Sequence, residues 1–308
     1  QRQMCIRDRI KEQFRKFAGE FEHWLVQEDG RIVDLYKSIT TIFECKPEYF
    51  FKYCVNATAE NQKNDREYYQ GLKNYVDSVV YPDFPYSHVY AIKEVVEKIP
   101  ADSVLHLSIN DSIRITNFFK LNPRIKTYAN IGTHGLDGCL SSFLGQAAAG
   151  NKQSYLVIGD LAFFYDMNAM RLRHIKNNVH ILLINNEGGS EFYFNHMWKD
   201  EASDLHTTAR HHTKAEGWVK SNNFIYLSAH DKESMQEALK EFMRSDLEKP
   251  VFLEVFTEMK TDSDVIYDFF DLSRPKDVQS ETIRRSKEFI KATIGQEKAQ
   301  KIAGLFKK

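Results

Sequence analysis

The chain has 308 residues, 42% of them hydrophobic, and can therefore bury a large core. Its formal net charge is −1, and its basic side chains are interspersed with acidic ones, which argues against a nucleic-acid partner. No apolar run approaches the roughly 20 residues of a membrane helix, so we expect no membrane partner. The cysteines have neither zinc-site nor disulfide spacing, which indicates a cytoplasmic protein. They are Cys5, Cys45, Cys54 and Cys139.

The start of the chain resembles neither a signal peptide nor a transit peptide. We interpret residues 1–9 as a non-native artefact and expect an N-terminal part of the protein to be missing. A polar segment over residues 60–67 predicts a linker. The remaining chain is therefore divided into residues 10–70, which include this linker, and residues 71–308.

The second part begins with a predicted helix. Pro85 and Ser87 precede it, Pro100 ends it, and its apolar side chains recur with helical spacing. These side chains are Val89, Ile92, Val95, Val96 and Ile99.

Six short apolar runs follow, separated by helical patterns. They are residues 104–109, 127–130, 155–159, 180–186, 224–228 and 251–256. Several are continuously apolar, as in strands that are buried on both faces of a parallel sheet. The sequence therefore predicts an α/β fold with a doubly wound parallel sheet, in which ligands bind beyond the carboxyl ends of the strands.

Two of these runs end in polar residues that suit a metal and a phosphate. Asp160 follows Gly159, and Asn186 is followed by Gly188 and Gly189. If the two strands are neighbours, the Asp160 carboxylate, the Asn186 amide oxygen and a backbone carbonyl near Gly188 offer hard ligands for Mg²⁺. The glycines allow a diphosphate to approach the backbone. Taken singly, the two segments also fit a helix N-cap aspartate and a generic left-handed turn.

The order Gly159-Asp160 and then Asn185-Asn186, about 26 residues later, resembles the diphosphate-binding motif of thiamine diphosphate-dependent enzymes. The resemblance is greatest to the branch that contains the menaquinone-pathway synthase, although many members have glycine in place of Leu161. It implies the thiamine diphosphate-binding fold, with residues 10–70 as the end of a central domain and residues 71–308 as the diphosphate-binding domain. The implied cofactors are thiamine diphosphate and Mg²⁺. The implied cofactor contacts are Asn110, Leu136, Gly159, Asp160, Leu161, Ala162, Asn186, Gly188 and Gly189, of which Asp160, Asn186 and Gly188 hold the metal.

Two further segments resemble the same family. Residues 130–138 enter the helix predicted over residues 139–149, which Gly150 closes, and in the family an aliphatic residue there bends the cofactor. The resemblance assigns this role to Leu136, whereas a buried leucine at a helix start is the alternative. Arg114 corresponds to an arginine that helps to hold a substrate carboxylate, and a surface ion pair is its alternative.

We expect a catalytic set of Arg114, Glu191, Phe192 and His134, with the last three shaping the acceptor side; His134 is included because an imidazole inside the cofactor loop can act as acid or base. Two positions depart from the menaquinone-pathway enzyme. Ile131 replaces a second arginine, and Glu191 replaces an apolar residue. The site thus loses one cationic side chain and gains one acidic side chain, which argues against the binding of two highly carboxylated substrates. His206, His211 and His212 are weaker candidates for substrate contact.

The implied activity is decarboxylation of a 2-oxo acid and transfer of the carbanion to an acceptor, in a homodimer or homotetramer. The alternatives are a 2-oxo acid decarboxylase, an acetolactate synthase-like enzyme, or a non-catalytic cofactor-binding subunit. In the family a preceding pyrimidine-binding domain supplies an activating glutamate, and no residue here corresponds to it. We therefore expect the chain to be inactive alone.

Overall fold

A computed structural model describes residues 11, 14–58, 66–130, 135–194 and 205–273, without the side chains of Phe192, Phe194 and residues 270–273. Several residues interpreted from the sequence lie outside the described part of the chain. They are residues 1–9, most of the linker, Ile131 and His134. The chain forms two units, residues 1–263 and residues 264–308. The predicted division near residue 70 stays a prediction.

The first unit begins with a small parallel pair of strands, β1 (His23–Val26) and β2 (Ile39–Phe43). Between them the chain turns at Gly30, whose φ of +67° is in the left-handed region that glycine adopts without strain. Two helices follow, α1 (Pro47–Thr58) and α2 (Glu67–Asp77). All described residues of α2 are at least partly exposed to solvent.

A six-stranded parallel sheet forms the centre of this unit and confirms the predicted α/β fold. The strands are β3 (Val104–Leu107), β4 (Lys126–Ala129), β5 (Ser154–Gly159), β6 (Val179–Asn185), β7 (Ile225–Ala229) and β8 (Val251–Phe256). Their order in the sheet is β4-β3-β5-β6-β8-β7. The chain leaves β3 towards β4 and returns to the other side of β3 with β5, so the winding reverses between β3 and β5.

Helices cover this sheet, as its buried strands require. They are α3 (His88–Val96), α4 (Asp111–Thr116), α5 (Cys139–Ala149), α6 (Asp160–Asp166), α7 (Ser190–Phe194), α8 (Glu216–Ser221) and α9 (Lys232–Phe242), and a 3₁₀ turn (Met167–Arg171) follows α6. The last helix, α10 (Met259–Ser273), begins in the first unit and continues into the second. The Ser87 hydroxyl caps α3 by accepting from the Tyr90 amide, as the sequence predicts. Gly150 does follow α5, but with an extended φ of −123° instead of a left-handed one.

The core lies between the sheet and these helices. Every residue of β6 is buried, and Phe143 of α5 and Phe163 of α6 belong to the same buried cluster as its Ile181 and Leu183. Complete burial of each such side chain stabilises the fold by roughly 1.5–3 kcal/mol, which holds the strand ends in place. Within the described part of the chain, no helix combines the length and apolar character needed to cross a bilayer.

Candidate functional site

A cleft of about 100 Å³ opens at the carboxyl ends of β3, β5 and β6, beside the point where the winding reverses. All the residues predicted to contact the cofactor line this cleft. They are Asn110, Leu136, Gly159, Asp160, Leu161, Ala162, Asn186, Gly188 and Gly189. The parallel register of β5 and β6 brings the two motif segments together, as the sequence predicts for neighbouring strands.

Asp160 connects the ends of β5 and β6. Its carboxylate is 2% exposed, and its Oδ1 accepts from the Leu161 amide at 2.6 Å. Its Oδ2 accepts from the Gly188 amide at 2.9 Å and lies 3.3 Å from Nε2 of His211. Gly159, not Asp160, is the N-cap of α6, and no side chain caps the helix. The alternative of a simple N-cap aspartate is therefore wrong, because this carboxylate bridges two loops.

The loop after β6 can hold only glycine at position 188. A Cβ there would lie 2.7 Å from the Thr208 carbonyl oxygen and 3.2 Å from Cε of Met259, and φ is +150°. The Gly189 amide donates to the same Thr208 oxygen at 2.6 Å. Glu187 has a positive φ of 64°. The backbone of this loop is thus pressed against its neighbours on one side and faces the cleft on the other.

Asn186 is oriented by a buried carboxylate that the sequence did not indicate. Its Nδ2 donates to Oδ2 of Asp262 at 3.0 Å, which leaves Oδ1 of the amide as the atom available to a ligand. Asp262 is fully buried and also accepts from the Thr257 hydroxyl at 2.7 Å and from the His88 amide at 2.8 Å. These hydrogen bonds hold the Asp262 carboxylate in place, and the carboxylate in turn orients the Asn186 amide.

His88 pairs with this carboxylate inside the protein. Its Nδ1 lies 3.1 Å from Oδ1 of Asp262, and both side chains are buried. Burial alone would lower the pKa of His88, but attraction to Asp262 and Asp111 outweighs it and the pKa is raised. Burial likewise opposes ionisation of Asp262, but His88 and the hydrogen bonds outweigh it and the pKa is lowered. Each side chain of the pair therefore favours the charged form of the other.

The oxygen atoms at the cleft suit a magnesium ion that arrives with a diphosphate. Asp160, Asn186 and Gly188 all line the same wall, and each offers the kind of oxygen that Mg²⁺ prefers. Among the described residues, no group of three or more His, Cys, Asp or Glu side chains could hold a metal alone. One carboxylate, one amide and one carbonyl need phosphate and water oxygens to complete an octahedron, so the residues present fit a metal-diphosphate.

Leu136 precedes α5 and lines the same cleft as the motif residues. It lines the cleft while packing partly against the core that includes Phe143 and Phe163. The N-cap of α5 is Gly138, with a φ of +76°, where a Cβ would come within 3.2 Å of Nδ2 of Asn130. This turn directs the preceding leucine towards the cleft, as expected of a residue that contacts the cofactor.

Comparison with known proteins agrees with this geometry. No family model matches the chain. It is 33% identical over 266 residues to the 2-succinyl-5-enolpyruvyl-6-hydroxy-3-cyclohexene-1-carboxylate synthase of Phocaeicola vulgatus, and 34% identical over 268 residues to that of Bacteroides fragilis. The synthase of Flavobacterium psychrophilum is 31% identical over 271 residues. The alignments cover 85%, 86% and 87% of the chain.

The chain belongs to the family of these synthases. This family depends on thiamine diphosphate. The family that the two strand-end motifs indicated in the sequence is therefore confirmed. The chain spans about half the length of the curated relatives it matches, since the alignments cover 47%, 48% and 48% of them.

Arg114 is not one of the residues that line the cleft. Its Nη1 lies 2.5 Å from Oε1 of Glu191 and 3.9 Å from Oδ1 of Asp111, and both of these acids line the cleft. The arginine side chain is 38% exposed, so the pair has the geometry of the partly exposed ion pair given above as the alternative. Glu191 therefore stands between the guanidinium and the cleft.

The other predicted catalytic residues are only partly described. His134 lies outside the described residues, and so does Ile131. Phe192 belongs to α7, but its side chain is not described. Of the weaker histidine candidates, His211 contacts Asp160, which raises the pKa of the imidazole although burial opposes it. His212 pairs with Glu187 at the surface.

Sequence reasoning missed several polar residues of the site. Asp111 follows Asn110 and begins α4, shortly after the carboxyl end of β3, a position where the fold class could have suggested it. Ser190 follows Gly189 and donates to Oδ2 of Asp111 at 2.7 Å. For His88 and Asp262 there was no signal, since they come from helix starts that only folding brings to the motif.

Proposed function

We propose that the cleft binds the diphosphate of thiamine diphosphate through Mg²⁺, in an enzyme that decarboxylates a 2-oxo acid and transfers the carbanion to an acceptor. The observation that supports this most is that Asp160, Asn186, Gly188 and Leu136 line one cleft. Membership of a thiamine diphosphate-dependent family supports the cofactor. We propose a cytoplasmic enzyme whose carboligase reaction resembles that of the synthases.

The residues of this chain act by binding and orientation. Asp160, the Asn186 amide oxygen and the Gly188 carbonyl hold the metal, and Leu136 sets the bend of the cofactor. Bound thiamine diphosphate supplies the electron sink for loss of CO₂ from the 2-oxo acid. Asp262 keeps the Asn186 oxygen turned to the ligand by accepting from its amide nitrogen. Glu191 borders the substrate and holds Arg114 next to the cleft, and His134 and Phe192 are proposed on the acceptor side.

Calorimetric titration of the chain with thiamine diphosphate tests the cofactor site. We expect binding that requires Mg²⁺ and that falls by about 100-fold or more in Asp160→Ala, because a charged ligand of the metal is lost. Thiamine without its diphosphate should bind far more weakly. As a control, Asp83→Ala removes an exposed carboxylate outside the cleft, which pairs with Lys232, and should bind normally. Unchanged affinity in Asp160→Ala would refute the proposed site.

Other thiamine diphosphate-dependent activities are alternatives to the carboligase reaction. A decarboxylase or an acetolactate synthase-like enzyme is favoured by the acid at Glu191, which suits less carboxylated substrates. Analysis of the products that the whole protein forms from pyruvate and from 2-oxoglutarate distinguishes these enzymes from a carboligase. A non-catalytic cofactor-binding subunit would bind the cofactor and form no product from either acid.

We also propose a homodimer or homotetramer, which rests on the family resemblance. The proposed small-molecule partners are the 2-oxo acid and its acceptor. Sedimentation equilibrium of the whole protein tests the assembly, and a monomer at micromolar concentration would contradict it.

A further inference from the structure

A short backbone segment lies along the loop that is proposed to bind the metal. Residues 208–213, which we call the strap, run antiparallel to residues 185–189 after β6, and three hydrogen bonds join the two segments. They lead from the Gly189 amide to the Thr208 carbonyl (2.6 Å), from the His211 amide to the Glu187 carbonyl (3.0 Å) and from Nδ2 of Asn185 to the Thr213 carbonyl (2.9 Å). A shift of the strap therefore also shifts the loop.

A buried carboxylate anchors the strap to the sheet. Glu254 of β8 is fully buried. It accepts hydrogen bonds from the Ala215 amide at 3.1 Å, from Nδ2 of Asn185 at 2.7 Å and from the Tyr226 hydroxyl at 2.7 Å. Hydrogen bonds to a buried carboxylate are strong, because they replace the water that it has lost. Glu254 thus ties the start of the loop and the chain just after the strap to the sheet.

The strap brings the ring of His211 to the carboxylate that is proposed to bind the metal. Nδ1 of His211 accepts from the Thr213 amide at 3.0 Å, so the proton of the neutral ring is on Nε2. The ring meets Phe164 edge-on, with centroids 5.3 Å apart. Nε2 lies 3.3 Å from Oδ2 of Asp160. This nitrogen is buried and makes no hydrogen bond elsewhere in the described part of the chain, which leaves Asp160 as the acceptor for its proton.

Asp160 has room for this donor beside a metal ion. A carboxylate has about four acceptor positions, and the Leu161 and Gly188 amides occupy two of them. The remaining positions can receive the metal and Nε2 of His211. The ring itself is a poor ligand for this metal, because Mg²⁺ prefers oxygen atoms.

We propose that His211 is a positioning residue of the metal site. It directs its Nε2–H at Oδ2 of Asp160 and so keeps this carboxylate turned to the cleft. His211 does not belong to the described lining of the cleft, whereas Asp160 does, so it acts through the carboxylate and not on the substrate. Partners of this kind orient metal ligands, and their loss weakens metal binding. The inference rests on the proposed function, because it concerns the same metal-diphosphate site.

Two substitutions of His211 separate the shape of the ring from its donor. His211→Phe keeps a ring next to Phe164 but loses the N–H group, whereas His211→Gln keeps an amide N–H close to the position of Nε2. Calorimetry measures thiamine diphosphate binding at fixed Mg²⁺, and Mg²⁺ binding at saturating thiamine diphosphate. His211→Phe should weaken both about 10- to 100-fold, and His211→Gln should stay within about threefold of the wild type.

A matched control and a stability measurement accompany these variants. His174 is exposed and lies outside the described lining of the cleft, so His174→Phe should bind both ligands as the wild type does. Urea denaturation of each variant shows whether a loss of affinity comes with a loss of stability. A merely structural role of His211 predicts that affinity falls only in variants that are also less stable, and it predicts no rescue by glutamine.

The wild type provides a test that needs no variant. Two-bond ¹H–¹⁵N NMR spectra distinguish the two tautomers of a neutral histidine. In the complex with thiamine diphosphate and Mg²⁺, we expect neutral His211 to carry its proton on Nε2. A proton on Nδ1 would overturn the inference, even if His211→Phe folds poorly.

The inference is also overturned if His211→Phe binds both ligands like the wild type, or if His211→Gln loses as much affinity as His211→Phe. In these cases the wild type binds normally, and only the role of His211 is refuted. Failure of the proposed function has a different signature, because the wild type itself then binds no thiamine diphosphate in the presence of Mg²⁺. That result refutes the function and the role of His211 together.

Discussion

At the scale of single residues, the site depends on positions where no other side chain fits. Gly188 combines a positive φ with contact against the Thr208 carbonyl, so its lack of a Cβ is a steric requirement. Gly159, in the other half of the motif, has an ordinary φ of −84°, and a Cβ there would meet no atom within 4 Å. Two glycines of one motif thus have different physical reasons for being glycine.

This difference predicts different outcomes for two substitutions. Gly188→Ala should lower the free energy of unfolding by roughly 2–3 kcal/mol, because the backbone must move to relieve the clash and the strain. Gly159→Ala should cost less than about 1 kcal/mol, as at an ordinary helix N-cap. Urea denaturation of both variants measures this. Equal losses of stability would show that the contact with Thr208 does not restrict position 188.

Cofactor affinity provides a second readout for the same pair. Both residues line the cleft, so we expect both alanine variants to bind thiamine diphosphate more weakly. For Gly159→Ala this loss should occur in a protein of nearly normal stability. That combination would identify Gly159 as a position required by the ligand and not by the fold.

At the scale of secondary-structure elements, the first turn of α10 connects the parts of the site. Asp262 receives donors from the start of α3, from the end of β8 and from Asn186 after β6. The Asn186 amide is therefore positioned by a residue 76 positions away in the chain. Asn186, the proposed metal ligand, and the start of α10 are thus joined by a buried hydrogen bond.

Asp262→Ala should consequently reduce both stability and metal binding. We expect a loss of about 3–5 kcal/mol in the free energy of unfolding, since the buried His88 and Asn186 side chains lose their common carboxylate partner. Affinity for Mg²⁺ with thiamine diphosphate should fall about 10- to 100-fold as the Asn186 amide loses its orientation. Asp262→Asn retains an acceptor of the same shape and should recover most of the affinity, as calorimetry can measure. Normal affinity in Asp262→Ala would exclude this positioning role.

At the scale of the whole molecule, ligand binding should be linked to folding, because the cleft joins loops after three different strands. Saturation at about 100 times the dissociation constant adds about 2.7 kcal/mol to the stability of the folded state. Thermal unfolding should therefore shift upwards with thiamine diphosphate and Mg²⁺, and a chelator should abolish the shift. Thiamine alone serves as the control. A shift that persists with the chelator would contradict the proposed metal anchor.

Much of this architecture could be read from the chain alone. Continuous apolar runs predicted the buried parallel strands, and the bounds of β8 and α5 agree with the prediction. Gly159-Asp160 and Asn186 marked the wall of the cleft that is proposed to bind the cofactor, because a parallel sheet places consecutive strand exits at one edge. Local patterns suffice here, since each motif carries its own strand and turn.

Only the tertiary structure decided the charge of the site. Arg114 and Glu191 come from different helices, and the sequence could not show that Glu191 would reach the guanidinium and separate it from the cleft. Nor could it pair Asp262 with Asn186 and His88, because those contacts depend on how distant helix starts pack against the sheet. Periodicity and motif spacing determine elements and their order, whereas the partners of a long charged side chain are set by packing across the fold.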